Sequence, residues 1–293
     1  MSGRLPSLAR DLRSGRYWTR LVTHFFAALG LLGAVIGITS ALFPTALPPR
    51  GNAFVGVVVV FSAGWALFCS WPRPIRQSYK QPNIEIRVVV GDLFEQEGNI
   101  VIGMSTTFDT ATPHVIESAS VQGQLLTRVY NSDVQALDAA LATALSSSRP
   151  SGSFGPGDNK RGKQTIYPLG TVAAINQSPR QLYFCVAYAE MYADCTAHAT
   201  VDGIWKSLNE LWRAADTFGN GDPICIGVIG GGQSRISQQF PAQDSIRLIA
   251  LSFIFASRAQ KVSQQLNIVV REEDVAKLDI LELQAFLRSL RPS

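Results

Sequence analysis

Charge is scarce in this chain. Only 16% of its 293 residues are Asp, Glu, Lys or Arg, against the quarter or so usual in soluble proteins. Negative charge is scarcest near the start, where residues 1–80 hold nine basic residues and a single acid, Asp11. Cysteine and histidine are also few. Cys69, Cys185, Cys195 and Cys225 form no C-x-x-C pair, and none stands at zinc-site spacing from the three histidines. No metal site is expected, and the cysteines read as reduced, mostly buried thiols in a cytosolic body. Residues 81–293 carry 17 basic and 21 acidic residues, a net of −4, so the overall +4 belongs to the N-terminal flank. A nucleic-acid-binding role thereby loses its electrostatic basis.

What is abundant is apolar sequence, with hydrophobic residues at 46%. Leu21 to Phe43 continues without a charge for about the length a helix needs to cross a hydrocarbon core. Pro44 to Asn52 is a turn-forming link, and Ala53 to Trp71 is a second uncharged run of about the minimum spanning length. A secretory signal peptide is the competing reading of the first run, but the run exceeds a typical signal core and a second one follows it. The expectation is a transmembrane helical hairpin over residues 21–72. It lies between a basic N-terminus (1–20) and a juxtamembrane linker (73–83). Five arginines precede the hairpin and Arg73, Arg76 and Lys80 follow it, whereas the link holds only Arg50. The positive-inside rule then places both termini in the cytoplasm, in a multi-pass arrangement. Gly33 and Gly37 stand at G-x-x-x-G spacing, which fits packing of the hairpin on itself or pairing between subunits.

From Ile84 onward the pattern changes to that of an α/β domain occupying residues 84–293. Strands are predicted at Ile84–Val90, Asn99–Met104, Gly170–Asn176, Gln181–Ala187, Ile224–Ile229 and Leu266–Val270. Helices are predicted at Asp133–Leu145, Asp202–Phe218, Gln243–Gln260 and Ile280–Leu290, with Ile204, Trp205, Leu208, Leu211 and Trp212 at core spacing. Ser146 to Lys163 is rich in Ser, Gly and Pro and reads as a mobile loop. The buried strand at 224–229 runs into Gly230-Gly231-Gly232. Successive glycine N–H groups can converge on an anion such as phosphate; a tight turn accounts for them equally well.

Five stretches now come together: Gly91-Asp92-Leu93-Phe94, Phe108-Asp109-Thr110, Ser120 to Gln124, Tyr167 to Val172, and Gly230 to Gly232. In this order the body resembles the macro domain. More specifically, it resembles the variant macro domain joined to two N-terminal spans, the membrane effector of Thoeris-type bacterial antiphage systems. The resemblance implies a three-layer α/β/α macro-like fold behind the hairpin. It implies that Asp92, beside Leu93, accepts a hydrogen bond from an adenine amino group. Ser105, Thr106, Phe108 and Asp109 would line the distal ribose, Gln122 would help shape that pocket, and Gly230, Gly231, Gly232, Gln233 and Ser234 would wrap the diphosphate.

The resemblance further implies a ligand of the ADP-ribose type, imidazole- or histidine-linked, and no cofactor. A Toll/interleukin-receptor-domain enzyme would make it from NAD. The chain would then form a homo-oligomer and disrupt the bacterial inner membrane. Ordinary macro domains carry Asn-Ala-Ala-Asn after the second strand, where this chain has Ser105-Thr106-Thr107-Phe108-Asp109. That departure favours a reader with no catalytic residue. A membrane-anchored ADP-ribosyl hydrolase or NAD-processing enzyme is the alternative.

Overall fold

The computed structural model describes residues 15–43, 52–70, 75–178, 181–229 and 240–290. It divides into two compact units, Met1–Arg73 and Pro74–Ser293.

The first unit contains helices α1 (Gly15–Leu42) and α2 (Asn52–Ser70), which pack against one another. Within α1, Leu21–Leu42 is long and apolar enough to cross a membrane; the apolar part of α2, Val55–Cys69, is shorter. Among the described residues, then, one helix rather than two meets that length. Phe26, Leu31, Val35 and Ile38 of α1 are each more than half exposed. The hydroxyls of Thr23, Thr39 and Ser62 donate to the carbonyls of Thr19, Val35 and Val58 four residues earlier, all at 2.8 Å. Such back-bonding satisfies a hydroxyl inside an apolar stretch.

The second unit is built on a mixed sheet. Its strands are β1 (Ile75–Tyr79), β2 (Ile84–Val90), β3 (Asn99–Ser105), β6 (Val172–Ser178), β7 (Gln181–Met191), β8 (Ala197–His198), β9 (Ile224–Gly227) and β10 (Gln265–Val270). Two further short strands, β4 (Gly152–Ser153) and β5 (Thr165–Ile166), pair by themselves. The order across the main sheet is β1-β2-β10-β9-β3-β7-β6, with β8 attached to β7. The central strands β2, β10, β9, β3 and β7 are parallel, whereas β1 and β6 join antiparallel at the two edges.

Side-chain alternation sorts the strand residues onto two faces. Val101, Phe184, Ile226 and Ile268 meet Leu208, Leu211 and Trp212 of α5 (Val201–Phe218) and Ile246, Ile249 and Phe253 of α6 (Ala242–Ala259). Ile100, Ile102, Cys185 and Cys225 turn the other way. They meet Leu125, Leu137 and Leu141 from the region of α3 (Val121–Gln124) and α4 (Val134–Ala144). Helices therefore cover both faces, as continuous apolar strands in a parallel sheet require. The caps are legible locally: Thr200 accepts from Gly203 N–H at the start of α5, and Asp133 accepts from Ala136 N–H at the start of α4, both at 3.0 Å. Trp205 is only half-buried and stacks edge-on against Phe255, whereas Trp212 is fully enclosed and donates to Ser252 Oγ at 3.0 Å.

Two segments differ from expectation. The span 73–83 contains an edge strand, β1, whose Ile75, Gln77 and Tyr79 point inward. A polar Gln in the middle of the inward set hides the alternation. The Tyr79 hydroxyl donates to the Leu287 carbonyl of α7 (Ile280–Ser289) at 2.7 Å, tying the first strand to the last helix. The segment 146–163 is ordered around β4, a 3₁₀ turn at Pro156–Asp158 and a buried lysine, Lys160.

Candidate functional site

In an open α/β sheet, ligands bind outside the carboxyl ends of the parallel strands. At that edge the chain leaving β2 supplies Asp92 and Leu93, the chain leaving β3 supplies Ser105 to Thr110, and the chain leaving β9 supplies Val228 and Ile229. Gly230, Gly231, Gly232, Gln233 and Ser234, the expected diphosphate loop, lie outside the described residues. Ile229, the last described residue before them, donates its N–H to Ser245 Oγ on α6 at 3.0 Å.

Asp92 caps a 3₁₀ turn, Leu93–Glu95, by accepting from Phe94 N–H at 2.8 Å through Oδ1. Its Oδ2 pairs with Arg128, and the two side chains are 35% and 38% exposed respectively. Partial burial opposes ionisation of Asp92, but the Arg128 and Phe94 hydrogen bonds outweigh it and hold the carboxyl below its ordinary range. Arg128 also lies 5.1 Å over the Phe94 ring, which in turn packs against Tyr183. Leu93 is buried, and its turn packs against β9.

The chain after β3 is buried throughout. Ser105 and Thr107 share a hydroxyl bond at 3.2 Å, Thr106 Oγ1 accepts from Met191 N–H at 3.1 Å, and Thr107 donates to Asp109. Phe108, fully buried and at φ +48°, meets Tyr167 edge-on with ring centroids 5.6 Å apart. The Asp109 carboxylate is also fully buried. Besides Thr107 it accepts from Lys160 Nζ at 2.8 Å and from Lys163 N–H at 2.6 Å. Its backbone carbonyl accepts from the Gln122 side chain. Lys160 spends its other two protons on the carbonyls of Arg161 (2.8 Å) and Lys163 (2.7 Å). Gly162, at φ +80°, passes so close to Asp109 that a Cβ would collide with the carboxylate.

The structure thus separates the two expected aspartates. Asp92 stands half-exposed at the edge, while the charges of Asp109 are committed to fastening residues 160–163 to the chain leaving β3. Thr106, Phe108 and Gln122 likewise face the interior, shaping the wall from behind. An arc of contacts joins the pieces: the Leu93–Glu95 turn to β9, Asp92 to Arg128, and Gln122 to Asp109. Arg128, Lys160 and Lys163 are the functional candidates that sequence reading missed. The only sequence signal for Arg128 is its helical spacing from Gln124, whose Oε1 lies 3.4 Å from it.

A cavity of about 490 Å³ lies at the opposite, amino edge of the sheet, lined by Asn99, Ser146, Asn176, Gln181, Asn220 and Asp222 among others. It contains none of the expected site residues. Two of its polar linings serve the fold: Asn99 bonds Gly219 and Leu182, and Gln181 bonds the Gly98 carbonyl. The expected residues that are described, among them Asp92, Leu93 and residues 105–109, lie instead at the carboxyl edge. Burial pushes the thiols of Cys185 and Cys225 up, which disfavours the nucleophilic thiolate at both. Cys195 closes the turn between β7 and β8 at φ +63°, next to the Tyr192–His198 ring contact. Among the described residues no three metal-ligating side chains cluster.

The family described as Thoeris protein ThsA, macro domain, matches residues 86–271. No curated protein matches the chain. Solved structures similar to it include an Oceanobacillus iheyensis macrodomain with MES bound, 14% identical, with a TM-score of 0.49, covering 74% of this chain and 99% of that one. The same macrodomain with ADP is 14% identical with a TM-score of 0.48, covering 75% and 98%. A Trypanosoma brucei macrodomain in complex with ADP-ribose is 11% identical with a TM-score of 0.46, covering 74% of each chain.

Proposed function

The chain belongs to the Thoeris ThsA macro-domain family, and from that premise we propose that it reads an ADP-ribose-type nucleotide at the carboxyl edge of its sheet as part of antiphage defence. The family match over residues 86–271 carries this reading. The placement of Asp92 supports it: an ionised, half-exposed carboxylate at that edge is the acceptor that an exocyclic amine requires. The diphosphate falls to the glycines at 230–232.

A reader is favoured over a hydrolase by the chain leaving β3. There the side chains of Ser105, Thr106, Thr107 and Asp109 are buried and bonded to the protein, so they serve the wall rather than a reacting water. The membrane part of the proposal rests on Leu21–Leu42 and on the basic residues flanking α1 and α2. In this scheme α1 and α2 form the anchoring hairpin in the bacterial inner membrane, with both termini and the macro-like unit cytoplasmic. A Toll/interleukin-receptor-domain enzyme makes the messenger from NAD, and its imidazole- or histidine-linked group occupies the distal pocket. Ligand binding drives self-association and membrane disruption only to the extent that the assembled state binds the messenger more tightly than the resting state.

Titration calorimetry of the chain with ADP-ribose tests the reading. Wild type is expected to bind, and Asp92→Ala to bind at least about tenfold more weakly, the loss of one hydrogen bond to a charged group. Absence of binding by wild type overturns the nucleotide reading. Turnover of NAD or of ADP-ribosylated protein by wild type overturns the reader in favour of the enzyme.

A further inference from the structure

The Asp92–Arg128 pair is unusual among the ion pairs of the second unit because it stands at the proposed ligand edge and is only partly satisfied. Asp92 uses one site on each oxygen, for Phe94 N–H and for Arg128. Arg128 reaches Asp92 and Gln124 through Nη1 alone, and among the described residues its Nε and Nη2 donate to no protein acceptor. The guanidinium is held in place on two sides, by the Phe94 ring and by the carboxylate. It is carried on a π-helical turn, Leu125–Val129, a winding that proteins often keep at functional sites. The pair therefore presents a fixed acceptor beside a fixed donor, both still able to take a partner.

That order of acceptor and donor is complementary to one base edge. Adenine offers its N6 amine as donor next to a ring nitrogen as acceptor, the pattern that a single carboxamide side chain reads in nucleic acids. Hypoxanthine offers an O6 acceptor in place of the amine and would set oxygen against carboxylate. We infer that Arg128 is a specificity-determining residue that works with Asp92 to select a 6-aminopurine, Asp92 taking the amine and Arg128 donating to the neighbouring ring nitrogen. The inference rests on the nucleotide reading above. Arg128 is then a ligand contact rather than a counter-ion that the ligand must displace.

The test compares ADP-ribose with its hypoxanthine counterpart, inosine diphosphate ribose, by calorimetry on the 293-residue chain in detergent micelles. Wild type is expected to prefer the adenine ligand by ten- to a hundredfold, the discrimination of one good bidentate contact. Arg128→Ala is expected to lose at least tenfold in affinity for ADP-ribose and most of the preference. Arg128→Lys, which keeps the charge but not the planar fork, restores neither. Unchanged thermal melting of the variants confirms that the loss is local. If Arg128→Ala binds ADP-ribose as well as wild type or better, the inference is overturned while the nucleotide reading stands. If wild type binds neither ligand, both are overturned.

Discussion

Replacing Lys160 with Met tests the load carried by the chain leaving β3. The ammonium and the Asp109 carboxylate are both 0% exposed, and the ammonium makes three bonds, at 2.8, 2.8 and 2.7 Å. Lys160→Met keeps most of the apolar stem but strands a buried carboxylate, for which Thr107 and the Lys163 N–H are the remaining partners. Breaking a buried pair on one side costs about 3–5 kcal/mol, several times the value of a surface pair. For a unit of this size, that is a fall of roughly 6–20 °C in Tm. Circular dichroism of the full chain in micelles reads the shift. Local hydrogen exchange should show the largest gain over residues 105–110 and 152–166, because those two segments meet at the pair. Adding Asp109→Asn removes the stranded charge yet keeps an oxygen for Lys163 N–H, so the double variant should recover part of the loss. A loss under about 1 kcal/mol in Lys160→Met, the range of exposed pairs, refutes the reasoning. So does a double variant no more stable than the single one.

Acid should weaken the second unit. Partial burial opposes ionisation of Asp92, Glu85 and Asp274, but their Arg and Lys partners outweigh it and depress all three carboxyls below ordinary values of 3.8, 4.5 and 3.8. Depressed groups contribute stability that is complete above those ordinary values and disappears as pH falls through the lower folded-state values. Urea unfolding midpoints should therefore hold from pH 7 to 5 and decline below about pH 4; a midpoint that rises on acidification contradicts the pairing. Thiol alkylation should discriminate among the cysteines. Cys185 and Cys225 are buried with raised thiol values and should react only after unfolding, whereas half-exposed Cys195 reacts in the native protein. Native labelling of Cys185, read by mass spectrometry, would contradict the packing of the α4 face.

The sheet was legible because its strands are short apolar runs and its helices carry a 3.6-residue pattern. Ile224 to Gly227, central and covered on both faces, shows this most clearly. β1 was not legible, since its inward face includes Gln77. The turn that follows β2 was legible, and the resemblance alone singled out Asp92 within it. Its partner was not: Arg128 is 36 residues away, and only the fold brings the two together. Asp109, which the resemblance sets at the distal ribose, is held in the interior by a lysine 51 residues downstream, in a segment whose Ser, Gly and Pro content hid a buried charge.

The bond from Tyr79 to Leu287 orders events during synthesis. The strand that opens the second unit finds its cover in a helix 208 residues later. At roughly 5–20 residues per second, the ribosome needs on the order of 10–40 s to deliver that helix. Throughout that interval β1 has an unfinished inward face, with Ile75 and Tyr79 awaiting Leu283 and Leu287. The cover over β1 is complete only once Leu287 has been made, and a chain cut short before it leaves the apolar inward face of β1 uncovered.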